Sequence, residues 1–256
     1  MAGWAAALAA VSVVALSGCA STQKLSQPVP VQAPRTIAEA TDWRVTASIE
    51  KVIVRDGPGA WAKNAFWDEY QIRVAVVAGW SVEVTRTVVV DSLGERHKPQ
   101  TVLAELEKES KETAERYETA DLQVTAGLGA AGAYWTGVAI GGASAAVGLA
   151  TLGTTGVAAG AATAGAIVVA PVLMVAGLVG AVEEWQVQKE IDRRSTVFPV
   201  VMEGEQEQTL VVFFALAPSP SQVEVKYGDP AGEHVVVIDT GSALAGLHLP
   251  PSQARK

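Results

Sequence analysis

The chain is poor in the side chains from which most catalytic and metal sites are built. Its 256 residues include one cysteine and three histidines. No two of these histidines, His97, His234 and His248, have the spacing of metal ligands. The G-x-S-x-G turn of many serine hydrolases is also missing. We therefore predict a non-enzymatic protein without a metal or other cofactor, in which all three histidines face solvent.

Positive charge is scarce as well. The sequence has 19 Lys and Arg against 27 Asp and Glu, which gives a formal net charge of −8. Proteins that bind nucleic acid present basic surfaces to the phosphates. The acidic balance therefore predicts that nucleic acid is not a partner.

An apolar run precedes the single cysteine. Residues 5–17 read AAALAAVSVVALS, and Leu16-Ser17-Gly18-Cys19 follows at the end of that run. This order resembles the signal peptide and lipobox of bacterial lipoproteins, in which the peptide is cut before the cysteine and the cysteine is acylated. The resemblance implies a signal peptide over residues 1–18 and a lipid anchor on Cys19.

The residues after Cys19 predict a location and a tether. In lipoproteins an Asp after the cysteine retains the protein in the inner membrane, so Ala20 implies the outer membrane. We expect the periplasmic face of that membrane rather than the cell surface. Residues 19–42 are polar and contain several prolines, which is typical of a semi-extended linker.

Alternating β-branched residues predict seven strands on the two sides of a long insertion. Residues 43–98 and 195–249 form the two halves, and we expect a disordered tail over 250–256. We expect two sets of alternate residues to face the interior: Val45, Ala47 and Ile49, and Val211, Phe213 and Ala215. The predicted strands lie in 43–54, 68–79, 80–91, 195–203, 208–218, 221–229 and 233–240.

The later half, LVVFFALAPSPSQVEVKYGDPAGEHVVVIDT, resembles the closing strands of immunoglobulin-like, telokin-like domains of bacterial surface lipoproteins. The fold class that this implies is α+β: an immunoglobulin-like antiparallel β-sandwich interrupted by a helical hairpin over residues 99–194. Trp43, Trp61, Trp67 and Trp80 then belong either to its core or to a ligand surface.

The insertion begins and ends with charged helix patterns. Residues 101–121 and 183–194 are predicted helices, and no charged residue occurs from 122 to 182. Six residues of the first pattern fall on one face: Leu103, Leu106, Ser110, Thr113, Tyr117 and Ala120.

A glycine motif in the uncharged segment could suggest a dinucleotide site. Residues 127–132, GLGAAG, match G-x-G-x-x-G. That site requires a preceding strand and an acidic residue about twenty positions later. Here a charged helix pattern precedes the motif and the next acid is Glu183, so we reject the nucleotide interpretation.

The uncharged segment has the length of a membrane hairpin. Tyr134–Gly153 is long enough to span about 30 Å as a helix, and residues 157–182 supply a return leg. Tyr134, Trp135 and Trp185 would then lie at one membrane interface. Small residues spaced for close helix packing are Gly137, Gly141, Gly156, Gly160 and Gly165.

A second interpretation remains open, in which the same hairpin packs in water on itself, on the sandwich or on another copy. The first interpretation predicts an envelope lipoprotein with a structural or assembly role, which contacts lipid through Cys19 and the hairpin. Its partners would be a second copy or another envelope protein. The alternative function is a membrane-active oligomer that forms a pore from several hairpins.

Overall fold

The computed structural model describes residues 36–129, 179–250 and 253. Within them the chain forms nine strands and two helices. The strands are β1 (Ala38–Thr41), β2 (Val45–Ile53), β3 (Trp67–Val76), β4 (Ser81–Val90), β5 (Arg96–His97), β6 (Val200–Glu203), β7 (Glu207–Ala215), β8 (Gln222–Asp229) and β9 (Gly232–Asp239). The helices are α1 (Leu103–Thr119) and α2 (Val179–Arg194).

The strands form two antiparallel sheets. The first has the order β1-β2-β3-β7, and the second has the order β5-β4-β8-β9, with β6 also paired to β4. All seven predicted strands are confirmed. The sequence analysis missed two short edge strands, β1 and β5, because they are too short to show an apolar alternation.

Strand β1 changes the boundary of the tether. Residues 19–42 were predicted to form the linker, but Ala38–Thr41 pair with β2. The amide of Ile37 also donates to the carbonyl of Ile49 at 2.7 Å. The folded domain therefore begins before the predicted boundary at residue 43.

The main core lies between the two sheets. Val45, Ala47 and Ile49 are completely buried in it, which confirms the predicted inward face of β2. They share this core with Val223 and Val225 of the second sheet. Burial of alternate residues from both sheets makes the described strands a β-sandwich.

Strand β7 corrects the predicted inward face of the later half. Leu210, Val212 and Phe214 point into the sandwich core, whereas Phe213 and Val211 pack on the opposite side with the helices. Both faces of β7 are covered, so its sequence is apolar at consecutive positions and its alternation does not reveal which set faces the other sheet.

The two helices cover the outer face of the first sheet. On α1, five of the six residues predicted to share one face are buried, and Ala120, which follows the last helical residue, is exposed. On α2, Val187 and Ile191 are buried. They pack against an aromatic cluster in which the rings of Trp67 and Phe213 have centroids 5.3 Å apart.

Antiparallel pairing gives the sandwich two distinct ends. One, the Trp43 end, carries the β1–β2, β3–β4 and β8–β9 turns. The other, the insertion end, carries the β2–β3 and β7–β8 connections and the residues after β9. These two ends carry different groups of polar and aromatic side chains.

Candidate functional site

The candidate site is the insertion base, which we define as α1, residues 122–129 and α2. These elements flank residues 130–178 in the sequence. Three buried polar clusters attach them to the sandwich, one for each element. The insertion base therefore determines where the chain enters and leaves residues 130–178.

Residues 122–128 are not helical. The amide of Thr125 donates to the carbonyl of His248 at 2.8 Å. At Gly129, φ is +50°, and a Cβ atom there would lie 2.5 Å from the carbonyl oxygen of Leu249. Residues at the start of the uncharged segment therefore pack against the segment after β9. The predicted first leg, Tyr134–Gly153, lies outside the described residues.

The cluster beneath this contact is a buried His–Asp pair. His248 Nε2 lies 2.6 Å from Asp68 Oδ2, and the amide of Gly127 donates to His248 Nδ1 at 3.2 Å. Because Nδ1 accepts a hydrogen bond, the proton of the neutral ring is on Nε2 and is donated to Asp68. His248 is completely buried, so the prediction that it faces solvent is wrong.

A second cluster attaches α1. His97 Nε2 lies 3.1 Å from Asp91 Oδ2, and His97 Nδ1 lies 3.2 Å from Glu109 Oε1 on α1. Burial of His97 opposes its charge, but the hydrogen bonds to the two carboxylates outweigh burial and raise its pKa to about 9. His97 is therefore a buried cation at neutral pH, which contradicts the prediction of a solvated histidine.

Asp91 serves both this cluster and the adjacent turn. Its Oδ1 accepts hydrogen bonds from the amides of Leu93 and Glu95, each with a nitrogen–oxygen distance of 2.9 Å. Burial opposes its ionisation, yet these amides and the hydrogen bond from His97 hold the pKa of Asp91 below its usual value. Asp91 thus caps the turn that follows β4 and also contacts His97.

The third cluster attaches the end of α2. Glu69 on β3 accepts a hydrogen bond from Trp61 Nε1 at 2.7 Å. It also forms an ion pair with Arg194, whose Nη1 lies 3.3 Å from Glu69 Oε2. Arg194 also lies over the Trp61 ring, 4.8 Å from its centroid, and contacts Glu190 at 2.6 Å. Hydrogen bonds from Arg193 and Arg194 outweigh burial and lower the pKa of Glu190 to about 2.

Both flanks of residues 130–178 contact the insertion end of the sandwich. Gly127 contacts His248 at the insertion end. From Val187, which packs there with Trp61, the chain runs past Glu69 and reaches β6 at the other end. Val187, in the third turn of α2, therefore lies on the side of the insertion end.

The remaining predicted site residues have different standings. Trp185 of α2 is 60% exposed, and Lys189 Nζ lies 5.1 Å from its ring centroid. No helix in the described part of the chain is long and apolar enough to cross a membrane. Outside the described residues lie Cys19, Tyr134, Trp135, Gly137, Gly141, Gly156, Gly160 and Gly165.

The four tryptophans nearest the strands separate into two pairs. Trp61 and Trp67 are buried under the helices, whereas Trp43 and Trp80 are 59% and 36% exposed at the Trp43 end. His234 is half-buried beside this exposed pair, and the centroid of its ring lies 6.3 Å from that of the Trp43 ring. Both alternatives for these tryptophans, core and accessible surface, therefore occur, each for one pair.

Away from the insertion base, the second sheet carries a groove. An open groove of about 480 Å³ runs along the second sheet beside Tyr227 and His234. Within residues 36–129 and 179–250, no group of three His, Cys, Asp or Glu side chains is arranged to hold a metal ion. Comparisons with protein-family models, curated proteins and solved structures give no match.

Proposed function

We propose that the chain is a non-enzymatic lipoprotein of the bacterial cell envelope, with a structural or assembly role at the outer membrane. Acylated Cys19 supplies one attachment, and the uncharged segment within the insertion supplies a second. The observation that carries the proposal is the common position of the two flanks of residues 130–178 at the insertion end. A helical hairpin returns the chain to the side from which it started, and two flanks that both contact the insertion end support that arrangement.

The strand order supports an immunoglobulin-like fold for the sandwich. Without the short strands β1, β5 and β6, the two sheets have the orders β2-β3-β7 and β4-β8-β9. This is the order A-B-E and C-F-G of immunoglobulin domains. In that comparison the helical insertion falls between strands C and E, where immunoglobulin domains carry variable connections.

The attachment of the flanks supports a mechanical role for the base. Each flank is held by a buried charge or polar pair, and removing one partner of such a pair costs several kcal/mol, about 3–5 when both are charged and fully buried. A force on the uncharged segment would therefore reach the sheets through Glu69, His97 and His248. Insertion of the segment into lipid, with its glycines at the helix contact, would fix the sandwich beside the membrane.

The test is membrane fractionation of three variants of the full chain. One is Cys19→Ala, the second replaces residues 130–178 by a flexible Gly/Ser linker, and the third combines both changes. The deletion spares residues 122–129 and α2, because they contact the sandwich. Near-ultraviolet circular dichroism controls for an unchanged fold.

We expect each single change to leave the protein partly in the outer-membrane fraction and the double change to release it. Release by Cys19→Ala alone would overturn the second attachment, and fractionation of the unaltered protein with inner-membrane markers would overturn the location. Planar-bilayer conductance of the purified chain tests the alternative pore, for which the glycine spacing provides the support.

A further inference from the structure

The Trp43 end carries an exposed apolar surface, which we call the Trp43 patch and define as Trp43, Val77 and Trp80. These side chains are 59%, 42% and 36% exposed. The two indole rings meet edge to face, with centroids 5.0 Å apart. Tryptophan is enriched among the few residues that contribute most of the binding energy near the centre of a protein interface.

The patch is held in place from below by Arg44. Its guanidinium carbon lies 3.5 Å from the ring centroid of Trp43 and 4.5 Å from that of Trp80. Arg44 is only 3% exposed and pairs with Asp229, and His234 Nε2 lies 2.9 Å from its Nη1. The rings are therefore oriented before any partner arrives, so little entropy is lost when one binds.

Acidic side chains surround the patch. Glu203 and Glu205 flank Gly204, whose Cα packs against the backbone of Gly79 and Trp80. Glu233 precedes His234 on the opposite side. All three are exposed, and none forms an ion pair with another residue in the described parts of the chain. Of the nearby cations, Arg44 is paired with Asp229 and Lys226 with Glu224. This leaves Arg86 on the outer face of β4.

We propose that the Trp43 patch binds a basic segment of a partner protein, with a Lys or Arg side chain against the open face of Trp43. The face of an indole ring attracts a cation. The carboxylates around the ring are complementary in charge to a basic segment. The site needs neither Cys19 nor the uncharged segment. It therefore stands or falls separately from the membrane attachments.

The probe is a hexa-lysine peptide, and a hexa-glutamate peptide serves as the opposite charge. Binding to the full chain in mild detergent is measured by the fluorescence anisotropy of the labelled peptide at about 0.15 M salt, where charges farther apart than about 8 Å are largely screened. Trp43→Ser is expected to lower the affinity about two- to fivefold, since cation–π contacts at exposed sites have that strength. Glu203→Gln combined with Glu205→Gln should lower it by a similar factor.

Matched controls separate this site from general attraction to an acidic protein. Trp185→Ser removes an equally exposed tryptophan from the helix layer, and Glu112→Gln with Glu118→Gln removes two exposed charges from α1. Both controls should leave the affinity unchanged. Equal losses in the controls, stronger binding of hexa-glutamate, or no binding at millimolar hexa-lysine would each overturn the proposal. Thermal unfolding of Trp43→Ser checks that the fold is intact.

Discussion

The buried cation at His97 makes the stability of the domain depend on pH in a defined direction. In an unfolded chain its pKa is about 6.5, and in the folded chain the carboxylates of Asp91 and Glu109 raise the pKa to about 9. The folded state therefore binds the proton more tightly. The resulting stabilisation is fully present below about pH 6.5 and is lost as the pH rises through about 9.

The magnitude follows from the two pKa values. One pKa unit corresponds to about 1.4 kcal/mol, so the loss between pH 6 and pH 10 is about 3 kcal/mol. This is a large part of the 5–15 kcal/mol that separates a typical folded domain from its unfolded chain. We expect the urea midpoint of the full chain, followed by tryptophan fluorescence, to fall over this range.

Two variants isolate the contribution of His97. His97→Asn cannot be protonated, so its free energy of unfolding should lack about 3 kcal/mol of the decline between pH 6 and pH 10. Glu109→Gln removes one of the two carboxylates that contact His97, so its decline should be smaller than that of the unaltered chain but not zero. A constant difference between the unaltered chain and His97→Asn across this range would refute the reasoning.

Two further substitutions and one control substitution test the packing of the helix layer and of the insertion base. The side chain of Phe213 is 1% exposed and lies between Trp61 and Trp67. Phe213→Ala should therefore lower the free energy of unfolding in urea by about 3–5 kcal/mol. The control, Val235→Ala on the exposed face of β9, should change it by less than about 0.5 kcal/mol. Gly129→Ala places a Cβ atom 2.5 Å from the carbonyl oxygen of Leu249 at a φ of +50°, so hydrogen exchange should accelerate in 122–129 and in 244–250 while β3 stays protected. Unchanged exchange in both segments would contradict this contact.

The local patterns of the sequence predict most of the fold. Alternation with a period of two locates the seven longer strands, and spacing near 3.6 identifies the buried face of α1. Both signals depend only on neighbours in the same element. They are therefore readable without knowledge of what packs on that element.

The polar clusters depend on contacts between distant parts of the chain, which no local pattern records. Asp68 and Glu69 are consecutive acids in one strand, and both are completely buried because β3 has a covered layer on each side. Asp68 meets His248, 180 positions away, and Glu69 meets Arg194 on the helix side. Two adjacent acids within an apolar strand were the available signal, since a buried acid requires a partner.

The same contacts explain why β7 was oriented wrongly. Its apolar residues continue from Leu210 to Ala217, so either alternate set could face the second sheet. Only the presence of α1 and α2 on the outer face distinguishes the two sets. A strand that is apolar on both sides indicates a third layer, and here that layer carries the flanks of the insertion.

The antiparallel fold places the proposed membrane attachment and the Trp43 patch at opposite ends of the sandwich. Different residues form each of them. Strand β3 runs from the insertion end to the Trp43 end over ten residues, a length of about 33 Å. A sandwich attached to lipid at its insertion end would thus hold the Trp43 patch about that distance farther from the attachment, clear of the headgroups. Anionic headgroups would then not compete with the patch for the Lys and Arg side chains of the partner. If fractionation instead releases the protein, the patch keeps its rings, its carboxylates and its accessibility, and the peptide experiment retains its meaning.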